Sequence, residues 1–214
     1  MAKGASKLSK GGGNAGKKDL YAGLNTEGSA ANQENADKIV QGARDVLSDF
    51  GVDDAFRSVR YGKYSGDAGM NAVGDLSISN EYIAKNKENQ RSDVVSDTYY
   101  GTGAHEAGHL VVSELTRRYL MPNASNLEKA SARKYDKTEK EVLKEAKRRF
   151  GSNPVISKYG STKPGEKVAE AISDVYGNKG RANPYSKVIV EVLKDIQRGA
   201  FRPTITVTKR EMGI

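Results

Sequence analysis

Five residues, His105-Glu106-Ala107-Gly108-His109, constrain this chain more than any others. They form an H-E-x-x-H pentapeptide inside a run, Thr102 to Leu120, that reads as helix, with Thr102 placed as its N-cap. Residues four apart on an α-helix lie nearly one above the other, so both imidazoles leave from one face. There they can share one metal ion, with Glu106 beside them to activate a water. The chain has only two histidines, both in this pentapeptide, and no cysteine. A catalytic zinc commonly takes three protein ligands and a water, so the third ligand here must be Asp or Glu. The longer motif with a third histidine and a methionine turn is excluded. The competing reading is a surface helix that happens to carry two histidines.

At 214 residues the chain suits a single domain with a sizeable core. No run reaches the roughly eighteen apolar residues of a membrane span. The basic N-terminus has no apolar segment after it, so no secretory signal is expected. The net charge of +8 is unevenly placed: residues 1–20 carry five lysines against Asp19, or +4. Residues 1–30 are Gly, Ser, Ala, Asn and Lys with few large apolar side chains, and are expected to form a disordered tail. The catalytic domain is then residues 31–214. Such a tail could touch nucleic acid or an anionic surface, although a solubilising end is the commoner use of one. Gly11 to Lys18 reads GGGNAGKK, but no Ser or Thr follows the Gly-Lys pair and no strand precedes it, so it is not a phosphate loop.

From Gln33 to Phe50 apolar residues recur at helical spacing, and Gly51 is a suitable stop. Shorter, strand-like pieces follow at Ala55–Tyr61 and Leu76–Ser79, the latter alternating apolar and polar. Strands followed by helices give an α+β fold rather than alternating βαβ units. If Leu76–Ser79 lies at the sheet edge above the metal, Ser77, Ile78 and Ser79 could pair with an extended peptide; an ordinary edge strand is the alternative. Leu127–Phe150 reads as a charged, solvated helix or helix pair, and Tyr185–Arg198 as a packing helix. Pro203–Thr208 is either an added edge strand or a loose tail.

A second informative stretch is Ile156–Tyr176, ISKYGSTKPGEKVAEAISDVY. Pro164 suits the first turn of a helix. Glu166, Glu170 and Asp174 then stand four apart, a column of carboxylates opposite Val168, Ala169, Ile172 and Val175. A solvated face would explain such a column, but the site demands an acidic ligand. Spacing alone leaves Glu166 and Glu170 as alternatives for it.

HEAGH followed by this stretch resembles the zincin-like metallopeptidases whose ligands are two histidines and a glutamate. In particular it resembles the catalytic domain of anthrax lethal factor and related domains encoded in bacteriophage and prophage genomes. In that family a tyrosine stands seven residues before a glutamate that opens an E-x-x-A-E-A helix. The matching residues are Tyr159 and Glu166-Lys167-Val168-Ala169-Glu170-Ala171, where Lys167 and Val168 replace the usual aromatic residues. The resemblance covers about residues 99 to 178.

It implies a zincin-like α+β domain: a small mixed sheet, an active-site helix and a second helix bearing a ligand. It also implies zinc held by His105, His109 and Glu166, Glu106 as general base, and Tyr159 as donor to the oxyanion. Glu170 and Asp174 then fall behind the ligands. The expected activity is hydrolysis of a peptide or protein substrate by a zinc protease, in a bacterial host's cytoplasm or associated with a virion. Two other classes are weighed beside it: a catalytically idle zinc-binding virion or structural protein, and a nucleic-acid-binding protein using residues 1–30. Nothing in the sequence defines a substrate side-chain pocket.

Overall fold

A computed structural model describes residues 19–85 and 88–214. Among these residues lie four strands: β1 (Asn25–Glu27), β2 (Ser58–Gly62), β3 (Ala68–Met70) and β4 (Asp75–Ser79). They are accompanied by α1 (Gln33–Asp49), α2 (Asn80–Ala84), α3 (Tyr99–Leu115), α4 (Asn126–Lys134), α5 (Lys137–Phe150), α6 (Pro164–Gly177), α7 (Pro184–Arg198) and α8 (Lys209–Met212). The fold is α+β, with a small mixed sheet.

The helix periodicity read at Gln33–Phe50 becomes α1. Ala36, Ile39, Val40, Ala43, Val46 and Leu47 form one fully buried stripe, and Asn32 caps the first turn by accepting from the Asn35 N–H at 3.2 Å. This stripe packs on α3, and two glycines set how closely. A Cβ on Gly103 would lie 1.8 Å from the Ile39 carbonyl oxygen, and one on Gly42 would lie 2.1 Å from that of Tyr100. The helices therefore cross backbone to backbone, which places the HEAGH helix in the middle of the core.

α3 begins earlier than expected. Thr98, not Thr102, is its N-cap: Thr98 is extended and accepts from the Gly101 N–H at 2.9 Å. The Thr102 hydroxyl is instead paired with that of Tyr82 at 2.9 Å. At its other end α3 relaxes into a π-helical turn over Thr116–Leu120.

The sheet order is β1-β2-β4-β3, parallel except for the antiparallel β3–β4 pair. Val59, Leu76 and Ile78 point into the core and are fully buried. The strand expected at Leu76–Ser79 is present as β4, but it is internal, lying between β2 and β3. The chain from 68 to 79 doubles back as a hairpin, so Ala68–Met70 takes the edge that the sequence reading gave to Ser77, Ile78 and Ser79.

The expected boundary at residue 30 also moves. Asn25–Glu27 pairs with β2, and Leu20, Tyr21 and Leu24 pack against the core. The Tyr21 hydroxyl donates to Asp37 at 2.9 Å and lies 2.9 Å from that of Tyr61. Residues 1–18, with the rest of the expected tail and the GGGNAGKK run, lie outside the described residues. The charged segment before residue 150 is a helix pair, broken at Asp136, whose φ is 49°. Pro203–Thr208 adds no strand; it leads to α8, which Glu211 ties to Lys137 of α5.

Candidate metal centre

The site is built where α3 meets α6. Gly108 allows the approach: a Cβ there would lie 3.2 Å from Ala169 Cα and 3.1 Å from Ile172 Cδ1. This is the room that a second helix bringing a carboxylate would need. Pro164 begins α6, so Glu166 falls in its first turn, opposite the imidazoles.

Glu166 Oε2 lies 3.2 Å from His105 Nε2 and 3.6 Å from His109 Nε2. One ligand atom from each of the three residues lies within 4.8 Å of the others. A tetrahedral zinc with bonds of about 2.0–2.1 Å has ligand atoms about 3.4 Å apart, and two imidazole nitrogens with a carboxylate oxygen are among its usual donors. The donor types and their convergence therefore suit a divalent metal ion.

Behind this group, His105 Nδ1 faces Glu170 Oε1 at 3.0 Å. Glu170 is itself fixed, because its other oxygen accepts from the Val95 N–H at 2.8 Å. Burial disfavours a charged His105, but its hydrogen bonds to Glu166 and Glu170 outweigh that and hold its pKa up at about 10. The same contacts, led by those to His105 and His109, keep Glu166 well below the usual carboxylate range.

Glu106 leaves α3 on the side of β3 and accepts from the Met70 N–H at 3.0 Å. Loss of water around it pushes its pKa up, against the pull of both imidazoles. Tyr159 opens a 3-10 turn, with its ring centroid 5.8 Å from that of His105. Burial and the neighbouring Glu166 charge push its hydroxyl up to about 12, so it is a proton donor at neutral pH.

A strap of irregular chain, residues 88–98, organises this side of the site. The Asp93 carbonyl accepts from the Tyr159 N–H at 2.8 Å. The Arg91 guanidinium lies 5.7 Å from the Tyr159 ring centroid and is held by Asp93 at 2.9 Å and Asp67 at 3.2 Å. A cavity of about 310 Å³ lies between this strap, His105 and Glu106.

His105, Glu106, His109, Tyr159, Glu166 and Glu170 are thus brought together. Asp174 is not behind a ligand: its oxygens accept from the Asn178 side chain and the Asn183 N–H, both at 2.8 Å, and shape the turn into α7. It reaches the centre only through Asn178, which also donates to the Val95 carbonyl at 3.1 Å. Of Ser77, Ile78 and Ser79, only Ser77 lines the groove beside Glu106; Ile78 is core and the Ser79 N–H bonds to Asp67. Sequence reasoning missed the Met70 and Val95 N–H groups, which carry no side-chain signature, and Arg91, which stands in no motif.

Comparison with protein-family models, curated proteins and solved structures finds no match to this chain.

Proposed function

We propose that the chain is a zinc-dependent metallopeptidase. The observation that carries this reading is the convergence of His105, His109 and Glu166 within ligand distance of one another, with Glu106 beside them against an edge strand. The resemblance of the two motifs to zincin-like metallopeptidases points the same way. Three candidate ligands rather than four among the described residues, beside a cavity, suit a catalytic metal better than a structural one.

His105, His109 and Glu166 would hold the ion. When bound, it supplies Lewis acidity, acidifying a water and polarising a carbonyl. Glu106 accepts the proton of the attacking water and returns it to the amine nitrogen as the C–N bond breaks, leaving a carboxylate and an amine. The Met70 N–H fixes the Glu106 carboxylate for that transfer. Tyr159 donates its hydroxyl hydrogen bond to the carbonyl oxygen as that atom gains negative charge, with Arg91 and Asp93 holding the ring in place. Glu170 keeps His105 oriented.

The experiment compares zinc content and peptide cleavage of wild type and Glu106→Gln. Retained zinc with loss of cleavage supports the reading; equal turnover by the two proteins sinks it. No helix among the described residues is long and apolar enough to cross a membrane.

A further inference from the structure

Beyond His109 a second cavity of about 340 Å³ opens along α3. Val112, Ser113 and Thr116 line it; they follow His109 at helical spacing and continue its face. The facing wall is Ala72 and Val73, where the chain leaves β3. β3 itself touches Glu106 through Met70, so the cavity lies in line with the metal centre along the edge strand.

Two buried carboxylates line this cavity. Glu114 is 5% exposed and is satisfied by Arg117 and Arg118, each at 2.6 Å. Glu139, in the first turn of α5, is 7% exposed; its own backbone N–H donates to the carboxylate, and no cation lies within ion-pair distance of it among the described residues. Its Oε1 lies 4.0 Å from where a Gly165 Cβ would stand, so it sits beside the turn that carries Glu166. A buried carboxylate with no cation beside it is costly, and such groups concentrate at functional sites.

We infer that this cavity is a side-chain subsite for lysine or arginine in an extended peptide, with Glu139 receiving the cation. The inference rests on the peptidase reading. Val112, Ala72, Val73 and Ala130 offer apolar surface to the side chain's aliphatic stem, as Lys and Arg stems require. Three cations also border the cavity, but none of them lies within ion-pair distance of Glu139. Arg117 is engaged by Glu114, and Lys129 donates to the Pro122 carbonyl at 3.2 Å. Arg133 is exposed, where solvent and salt screen it, whereas the buried Glu139 is screened far less. Antiparallel addition to β3, the more stable pairing, sends the residues before the scissile bond toward Ala72 and Val73. The subsite therefore takes the residue on the amino side of that bond.

The test is calorimetric binding at pH 8 of two short peptides ending in a hydroxamate, identical except for Lys or norleucine just before it. Zinc-loaded wild type, Glu139→Gln and Glu139→Asp are compared. Wild type should bind the Lys peptide about tenfold more tightly. Glu139→Gln should bind both alike, at the wild-type norleucine affinity, and Glu139→Asp should keep a reduced preference. Equal binding by wild type, or a Lys preference that survives in Glu139→Gln, overturns the inference. So does tighter binding of a matching Glu peptide, which would assign the cavity to its bordering cations. A protein that shows the Glu139-dependent Lys preference but cleaves no peptide would remove the peptidase reading and keep the subsite.

Discussion

Glu170 holds His105 through Nδ1 at 3.0 Å, while Glu166 faces the same ring's Nε2 at 3.2 Å. The two carboxylates stand one helical turn apart on α6 and address opposite nitrogens of one imidazole. They should therefore have separable effects on metal binding. Glu166→Ala should lose stoichiometric zinc. Glu170→Ala should keep one zinc at saturation but bind it about 10- to 100-fold more weakly. Chelator competition with metal analysis distinguishes them, and equal zinc loss in both variants would contradict the division.

Zinc affinity should rise with pH. In the metal-free protein His105 has its pKa held at about 10, so it is protonated across the neutral range and must release that proton to become a ligand. One proton released per ion gives about a tenfold gain in apparent affinity per pH unit, levelling off near the folded pKa. Competition titrations at pH 6, 7 and 8 would check this; a flat profile would mean that His105 is already neutral.

The stability of the metal-free protein should fall between about pH 4.5 and 7 on account of Glu139. Burial pushes its carboxyl up to about 7, so the folded state keeps a proton that the unfolded chain releases at lower pH. The group is neutral and tolerated at low pH, and stability is lost as pH rises toward the folded pKa. Asp136 adds to the shift, while His109 and Lys140 oppose it. Glu139→Gln should remove this dependence and be more stable at pH 8 by on the order of 2–3 kcal/mol. Thermal or denaturant unfolding from pH 4 to 8 gives the comparison.

Gly103→Ala should cost about 3 kcal/mol, because the new methyl meets the Ile39 carbonyl at 1.8 Å and α1 must move. Gly108→Ala meets the end of Ile172 at 3.1 Å and the Ala169 backbone at 3.2 Å, and it gains about 1 kcal/mol of helix propensity. It should fold with a small change in stability but hold zinc less well, since α6 is pushed away from the imidazoles. Denaturant melts and zinc titration separate the two outcomes.

The parts of this fold legible in the sequence are those whose signal is periodic. α1 shows as a spaced apolar stripe, α6 as a carboxylate column behind a proline, and the HEAGH face as two imidazoles one turn apart. The edge strand did not. Three residues, Ala68-Gly69-Met70, have no alternation to detect, and their neighbour Leu76–Ser79 has the stronger β pattern because it is internal. β1 escaped for the same reason, lying in a stretch whose composition suggests a tail. The strap from residue 88 to 98 works largely through main-chain groups, so Asp93 and Val95 carried no mark of their places. Glu139 was hidden among the charges of a helix that looked solvated.

The brevity of β3 has a consequence for recognition. Asp67 and Asn71 spend their backbone bonds on β4, so Ala68 and Met70 face outward, and the Met70 N–H is already taken by Glu106. A guest chain lying along this edge finds only a few open main-chain groups. So short a border is a poor template for edge-to-edge aggregation, and it also denies sequence-blind affinity to any extended peptide. On the proposed reading, discrimination among guests must then come from what their side chains reach on either side of the candidate metal centre.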